Sequence, residues 1–433
     1  MNDDLLKKAL RYRWLIFWVL AFSYVLVYFH RLCPAVVALD MMQDLKAGGG
    51  LIGLLGAAYF YPYALMQLPA GLLSDSWGPR KTITLFFCVA FVGSLLLGLA
   101  PTLLWAIVGR TLVGLGVAML FVPTMKILAE WFRVREFAFM TGILMAMGGI
   151  GSLSAASPLA LLSSRIGWRM SFVVVGGFTL ILGALVWIFV RDRPRDKGWP
   201  SPRGKQETGA PPSIGLGEGV RMVLSTPAFW PVAIWFFFDC AVFFSFGGLW
   251  GGPYLMQVYG LSKANAGQIL SMLAIGMIVG SPFLSFLSNN IFRARKPVVI
   301  LSSAILLFLT AALAFYTKNI PIAGLYLLCF GLGVFSSAVV VIGFTTTKEL
   351  FPVQMAGTAT GLVNLFPFAG GAVFQPVLGH VLETHGRVAG AFTLDGYKQA
   401  FLILFLCGII TLAASMCLRE TMERETMEKE GKE

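Results

Sequence analysis

Long apolar runs dominate this chain, and they leave few folds open to it. Twelve can be counted, at about 14–39, 51–73, 82–100, 103–128, 138–162, 171–190, 228–258, 266–288, 297–316, 321–346, 356–382 and 399–418. A helix needs roughly 20 mostly apolar residues to cross a bilayer. Inside lipid the backbone polar groups must be satisfied within the segment, so runs this long can cross only as helices. The expectation is an all-α membrane protein with twelve transmembrane helices. Composition agrees: 57% of the 433 residues are hydrophobic and 12% are charged, against about 25% charged in ordinary soluble domains. That balance excludes a water-soluble enzyme.

The longest polar stretch, 191–227, is rich in proline, glycine and charge and reads as a linker. It divides the chain into a six-helix bundle at 1–190 and another at 228–418, followed by a charged tail at 419–433. With the N-terminus placed in the cytoplasm, cytoplasmic segments carry 23 Lys and Arg and outer loops carry 7. This bias puts both termini inside and makes a multi-pass protein of the cell inner membrane. The first run is too long for a cleavable signal. The net charge of +12 invites a nucleic-acid partner, but the basic residues sit in short segments between apolar runs, so none is expected. The six cysteines fall inside apolar runs without a C-x-x-C pair and read as buried thiols. No phosphate loop, no metal spacing and no catalytic acid pair occurs, so no cofactor, metal or enzymatic activity is expected. A monomer in the lipid bilayer suffices.

The halves echo each other. Gly114-Leu115-Gly116 matches Gly331-Leu332-Gly333 at an offset of 217, and Thr141-Gly142 matches Thr360-Gly361 at 219. Internal symmetry of this kind belongs to transporters built from repeats, with the site at their interface. Small residues cluster in runs five, eight and eleven, at Gly142, Gly148, Gly151, Gly276, Gly280, Gly357 and Gly361, and allow helices to approach closely.

The loop after run two reads Gly71-Leu-Leu-Ser-Asp75-Ser-Trp-Gly78-Pro79-Arg80-Lys81. It resembles the loop 2–3 signature of the major facilitator superfamily, with Pro79 where a basic residue is usual. Arg110-Thr-Leu-Val-Gly114-Leu-Gly116 resembles that family's run-four motif, and Gly167-Trp168-Arg169 opens run six in its manner. The resemblance implies the major facilitator fold: two pseudo-symmetric six-helix bundles around one cavity open alternately to each side. It implies a latch at Gly71, Asp75, Gly78 and Arg80, with Arg110 as a companion motif residue. Breaking the latch would favour the inward-open state.

Ionisable groups inside apolar runs are costly and usually functional. The cations there are Arg31, Arg110 and Lys126; the acid is Asp239; His30 also titrates. Tyr24, Tyr28 and Arg31 share a helical face by spacings of four and three. A guanidinium flanked by aromatics suits a carboxylate or phosphate. The pattern resembles the family's organic-anion branches, sugar-phosphate antiporters and anion:cation symporters. There, a run-one arginine binds the substrate's anionic group, and Arg31 matches it. Lys126 matches a second basic ligand, as a point charge instead of a fork. Tyr59, Trp250 and Asn364 complete the expected substrate set. Asp239 is the first candidate for proton coupling and His30 the second. The reading is proton-coupled transport of a small organic anion. Its rivals are a zwitterion carrier using Asp239 for an amino group, a drug or siderophore exporter, and a transporter-like sensor.

Overall fold

A computed structural model describes residues 2–200 and 216–422. Residues 201–215 of the expected linker and 423–433 of the expected tail lie outside the described residues. Ten helical stretches among the described residues are long and apolar enough to cross a bilayer, and a bent pair, Gly49–Leu65 with Pro69–Ser76, adds an eleventh. One of the ten, Arg135–Phe189, has 55 residues. At 1.5 Å per residue it would extend about 80 Å, more than twice the ~30 Å hydrocarbon core. Gly167, with φ 78° and ψ 161°, interrupts it, so it makes two spans and the total is twelve.

Spans are numbered in chain order. Span 1 is Asn2–Leu32 continued by Pro34–Asp44; span 2 is Gly49–Leu65 with Gln67–Ser76; span 3 is Pro79–Gly98. Span 4 is Leu103–Ala118 with Phe121–Trp131, and spans 5 and 6 run through Val134–Ala155 and Ser157–Phe189, parted at Gly167. Span 7 comprises Phe229–Ser245, a wider π-turn at Phe246–Trp250, and Gly251–Val258; span 8 is Lys263–Phe286. Span 9 is Lys296–Phe315, span 10 begins as Ile322–Ser336 and ends as Phe344–Glu349, span 11 is Val353–Val363 with Leu365–Thr384, and span 12 is Leu394–Met416. Twelve crossings return the chain to the side of its start, here termed the terminal side. The expected linker is partly helical, since Leu216–Leu224 forms a short helix with Val223 fully buried.

Proline dictates where the spans break. It has no N–H, so the carbonyl four residues earlier loses its helical partner. The breaks at Cys33, Met66, Met119–Leu120, Ala156 and Asn364 each fall shortly before Pro34, Pro69, Pro123, Pro158 and Pro367. Between spans 11 and 12, Arg387–Val388 pairs antiparallel with Ala391–Phe392. Its tight turn places both Ala389 (φ 51°) and Gly390 (φ 83°) in the left-handed region, as a type I′ hairpin turn demands.

Two compact units emerge, and they do not follow the chain's halves. Unit 1 contains Met1–Cys33, Ala58–Ala155 and Leu161–Ala210; unit 2 contains Pro34–Ala57, Ala156–Ala160 and Pro211–Glu433. The far-side parts of spans 1, 2 and 5 therefore belong with the C-terminal half. The reason lies in unit 2, where glycines bring backbones together. Gly49 and Gly53 lie against the carbonyls of Gly379 and Gln375, and a side chain at Gly53 would come within 2.5 Å of Pro376. Gly267 meets Ala160 and the Ala156 carbonyl in the same way.

Within unit 1, Gly114 lies against the Tyr59 backbone of span 2; within unit 2, Gly333 lies against the Leu273 backbone of span 8. The equivalent residues are thus Gly114 and Gly333, at an offset of 219, the same offset as Thr141 and Thr360. Gly331 instead faces the Leu309 side chain. The thiols also differ from expectation: Cys33, Cys240, Cys329 and Cys407 are buried, whereas Cys88 on span 3 and Cys417, just past span 12, are exposed. On a transmembrane span an exposed thiol is tolerated as a small hydrophobe.

Candidate functional site

Arg31 is the centre of an aromatic cage in unit 1. Its guanidinium carbon lies 4.3 Å from the Tyr28 ring centroid and 4.9 Å from that of Tyr63. One N–H donates to the Tyr63 hydroxyl at 2.8 Å. Tyr59 stacks on Tyr63 at 5.5 Å, and its hydroxyl donates to the Val27 carbonyl at 3.1 Å. Tyr24 packs edge-on to Tyr28 at 5.4 Å. Span 5 presses on the same rings: a side chain at Gly148 would stand 2.8 Å from Tyr28. Four tyrosine rings thus gather around one guanidinium. Tyr63, four residues beyond Tyr59, was legible by spacing yet stood outside the expected substrate set.

Arg110 lies against the broken end of the first helix. Its guanidinium donates to the His30 carbonyl at 2.5 Å and to Cys33 Sγ at 3.5 Å, and lies 4.9 Å over the Tyr59 ring. Pro34 removes the N–H that would have bonded to that same His30 carbonyl. The broken end of the first helix exposes carbonyls and carries partial negative charge, and Arg110 satisfies both. His30 itself is fully buried, and neither ring nitrogen has a hydrogen-bond partner among the described residues.

On the terminal side, the Lys126 ammonium pairs with Asp75. The cation expected in the cavity is therefore engaged by the acid of the loop 2–3 motif, and both side chains are substantially exposed. Arg80 donates through its side chain to the Trp187 carbonyl and lies 4.2 Å over the Trp187 ring. Gly78 takes φ +88°, and a side chain there would meet Asp192 Oδ2 at 2.5 Å. Gly71 faces open space, with nothing within 4 Å of where a side chain would begin.

Asp192 is the participant that sequence reasoning missed. Its carboxylate accepts the Arg80 backbone N–H at 2.7 Å, so it caps span 3 from the end of span 6. The Arg-Asp-Arg-Pro run at 191–194 was legible only as linker charge. Burial pushes this carboxyl above the usual range, against the lowering by the Arg80 amide. A raised carboxyl holds its proton more tightly in the folded state. Its ionised form therefore loses stability as pH rises from the ordinary carboxylate value through the raised one. Asp192→Ala is expected to lower stability by about 1 kcal/mol. Asp192→Asn, which keeps an acceptor without a buried charge, should be near neutral at pH 7. Thermal unfolding in detergent checks both, and equal losses in the two variants would refute the cap.

Unit 2 holds Asp239, fully buried on span 7. Neither carboxyl oxygen has a hydrogen-bond partner among the described residues, and the Ser336 hydroxyl of span 10 faces it without closing a bond. Trp250 departs from expectation. It is 1% exposed and its indole N–H donates to the Gln375 carbonyl at 2.9 Å, so it is committed to packing span 7 on span 11. Gln375 in turn donates to the Phe244 carbonyl at 2.9 Å, just ahead of the π-turn. Asn364 sits half-buried at the break of span 11.

The far side of unit 2 is closed by contacts that the sequence did not announce. Lys263 pairs with Asp40. Glu383 accepts the Gly49 N–H at 2.7 Å and an N–H of Arg387 at 2.8 Å. Gly252 lies directly on the Ala35 carbonyl.

Twelve spans in two bundles, with a caged cation in one and a buried acid in the other, define a membrane transporter of a small molecule. Residues 18–376 match the Major Facilitator Superfamily, and the chain belongs to that family. Among curated proteins it is 23% identical over 410 residues to the probable sulfoacetate transporter SauU of Cupriavidus necator, covering 90% of this chain and 92% of that one. It is 25% identical over 437 residues to a probable hexose phosphate transport protein of Chlamydia muridarum, covering 95% and 92%. Among solved structures it resembles a bacterial homologue of the human lysosomal transporter Spinster, in an inward-facing and unoccupied conformation. The TM-score is 0.72 at 19% identity, covering 94% of this chain and 98% of that one. These matches place the protein among transporters and not enzymes, with relatives in the organic-anion branches.

Proposed function

We propose that this protein is a secondary carrier that moves a small organic anion across a cell inner membrane by alternating access, coupled to protons. Both termini are taken as cytoplasmic on the bias of 23 Lys and Arg to 7, which makes the far side the outer one. The observation that carries the reading is Arg31, a buried guanidinium between the rings of Tyr28 and Tyr63 in the first span. A cation in that position costs roughly 2.5–3.5 kcal/mol on insertion scales. An anionic cargo repays that cost each time it binds. Sulfoacetate and hexose phosphate, the cargoes named for the relatives, are organic anions and support the same reading.

The moving parts are bundles at about 1–190 and 228–418, working as a monomer. Pro34–Ala57 and Ala156–Ala160 pack with the C-terminal half here, and they would part from it in the outward-open state. The Asp75–Lys126 pair belongs to the latch, and a ligand shifts the two states only through its differential affinity for them. Asp239 is the proton carrier of the cycle. An ionised carboxylate without a partner is poorly tolerated in a dry site, so this closed environment suits the neutral acid.

Proteoliposome flux tests the proposal. Purified protein should exchange labelled organic anions and accumulate them under an inward proton gradient. Asp239→Asn is expected to lose gradient-driven accumulation and keep exchange. Undiminished accumulation would remove Asp239 from coupling. Among the described residues no cation pairs with Asp239, which also suits a cargo with an ammonium group. Exchange of amino acids that depends on Asp239 would favour that zwitterion reading.

A further inference from the structure

We propose that Ser336 of span 10 is a positioning residue for proton transfer: its hydroxyl donates to the Asp239 carboxylate once the proton has left, and so makes the ionised form attainable in a dry bundle. This rests on the proton-coupling reading above. Both residues lie in unit 2. Asp239 is fully buried and Ser336 is 7% exposed, and neither the carboxyl oxygens nor the hydroxyl has a hydrogen-bond partner among the described residues. The two groups face each other between spans 7 and 10.

Packing of the two spans brings them to that position. A side chain at Gly343 of span 10 would run into the Trp235 ring of span 7 at 2.7 Å, so the spans touch one turn before Asp239. Trp235 is held there by its indole N–H, which donates to Ser303 Oγ at 3.0 Å. The spans run in opposite directions, so stepping back from Gly343 to Ser336 and forward from Trp235 to Asp239 leads the same way. A buried hydroxyl on a helix commonly turns back on a carbonyl three or four residues earlier. Ser271 does so with Gly267 at 2.8 Å, Thr411 with Cys407 at 2.8 Å, and Ser337 with Val334 at 2.6 Å. Ser336 makes no such bond. It closes the stretch Ile322–Ser336, and three residues on the chain widens into a π-turn at Val339–Gly343. Turns of this kind recur at functional sites.

The proton step is simple to balance. The O–H bond of the neutral carboxyl breaks and its proton leaves to water, while Ser336 keeps its own proton and donates it as a hydrogen bond. Such a bond to an ionised acceptor is roughly twice as strong as one between neutral groups, so the hydroxyl favours the charged form. In spans 9 to 12 the ionisable side chains Lys296, Lys348, Glu349, His380, Glu383, Asp395 and Lys398 sit near the span ends. The titratable groups nearer mid-span are thiols, Cys240 beside Asp239, Cys329 and Cys407, which carry no charge at pH 7.

Infrared spectroscopy of the full-length protein reconstituted in lipid tests this without a cargo. The Asp239 carboxyl is the C=O band that disappears in Asp239→Asn, and its amplitude is followed against pH. In Ser336→Ala the midpoint of that titration is expected to rise by about one to two pH units, the worth of one hydrogen bond to a charged group. Ser336→Thr keeps the hydroxyl and should return toward the native midpoint, and Ser336→Cys, a weaker donor, should fall between. Ser337→Ala, whose lost hydroxyl serves its own helix, should leave the midpoint in place. A native midpoint in Ser336→Ala, or an equal rise in Ser337→Ala, would overturn the role of Ser336 and leave Asp239 in coupling. A carboxyl that keeps its proton, or never takes one, at every pH tested would remove Asp239 from coupling and Ser336 with it.

Discussion

Arg31→Ala should abolish anion-dependent stabilisation and flux while leaving the unliganded protein folded. Removing one partner of a buried, hydrogen-bonded charge pair costs 2–5 kcal/mol or more, which is roughly 30-fold to several thousand-fold in affinity. The unliganded state should hardly suffer. The substitution removes a guanidinium whose burial cost roughly 2.5–3.5 kcal/mol. It also removes a hydrogen bond to Tyr63 and stacking on Tyr28 and Tyr63, worth up to about 2 kcal/mol when desolvated. These contributions oppose each other. Arg31→Lys keeps the charge and loses the fork, so it should retain weak binding with a raised KM. A purely structural arginine would behave in the opposite way, with a lower unfolding temperature and unchanged ligand shift. Isothermal titration together with unfolding of both variants separates the two cases, and an unchanged affinity in Arg31→Ala would end Arg31's role at the site.

Much of this was legible because hydrophobic length is a local property. Twelve runs gave twelve spans, and spacings of three and four placed Tyr24, Tyr28 and Arg31 together. The proline breaks were also written in the sequence, at Pro34, Pro69, Pro123, Pro158 and Pro367, but run-counting passes over them since proline does not lower the apolar total. What could not be read was pairing between distant elements. Asp192 lies 112 residues from the Arg80 amide it caps. Arg110 lies 80 residues from the His30 carbonyl. Lys126 was assigned to the cavity by its position along span 4, yet its partner Asp75 is 51 residues away. Trp250 illustrates a further limit. Its place on an apolar helix could not tell a ligand-facing ring from one committed to Gln375. Nor did the glycine match at an offset of 217 specify which of two nearby glycines meets the neighbouring backbone.

The far-side closure offers the other large effect, and Gly252→Ala probes it. The new methyl would fall on the Ala35 carbonyl oxygen, and a backbone atom held in a helix cannot step aside as a flexible side chain can. Overpacking of this kind typically costs 1–3 kcal/mol, and under the proposed alternating access that cost falls on the closed state alone. The equilibrium between states should therefore move about 5- to 150-fold toward far-side opening. Leu249, 1% exposed and packed near Gly56, supplies a reporter. In a cysteine-free background, Leu249→Cys should react slowly with a membrane-impermeant maleimide. Adding Gly252→Ala should speed that reaction by a similar factor and reduce turnover, since a carrier working by the proposed alternating access must close to complete its cycle. Gly177→Ala in span 6 is the control, because nothing lies within 4 Å of the added methyl and a general loosening of the fold would be needed for it to alter labelling. Labelling that stays slow with Gly252→Ala would mean that the contact between Gly252 and Ala35 does not hold the far side shut. The closure would then rest on the Lys263–Asp40 pair and the Glu383 cap of Gly49, both of which are polar and would weaken with salt.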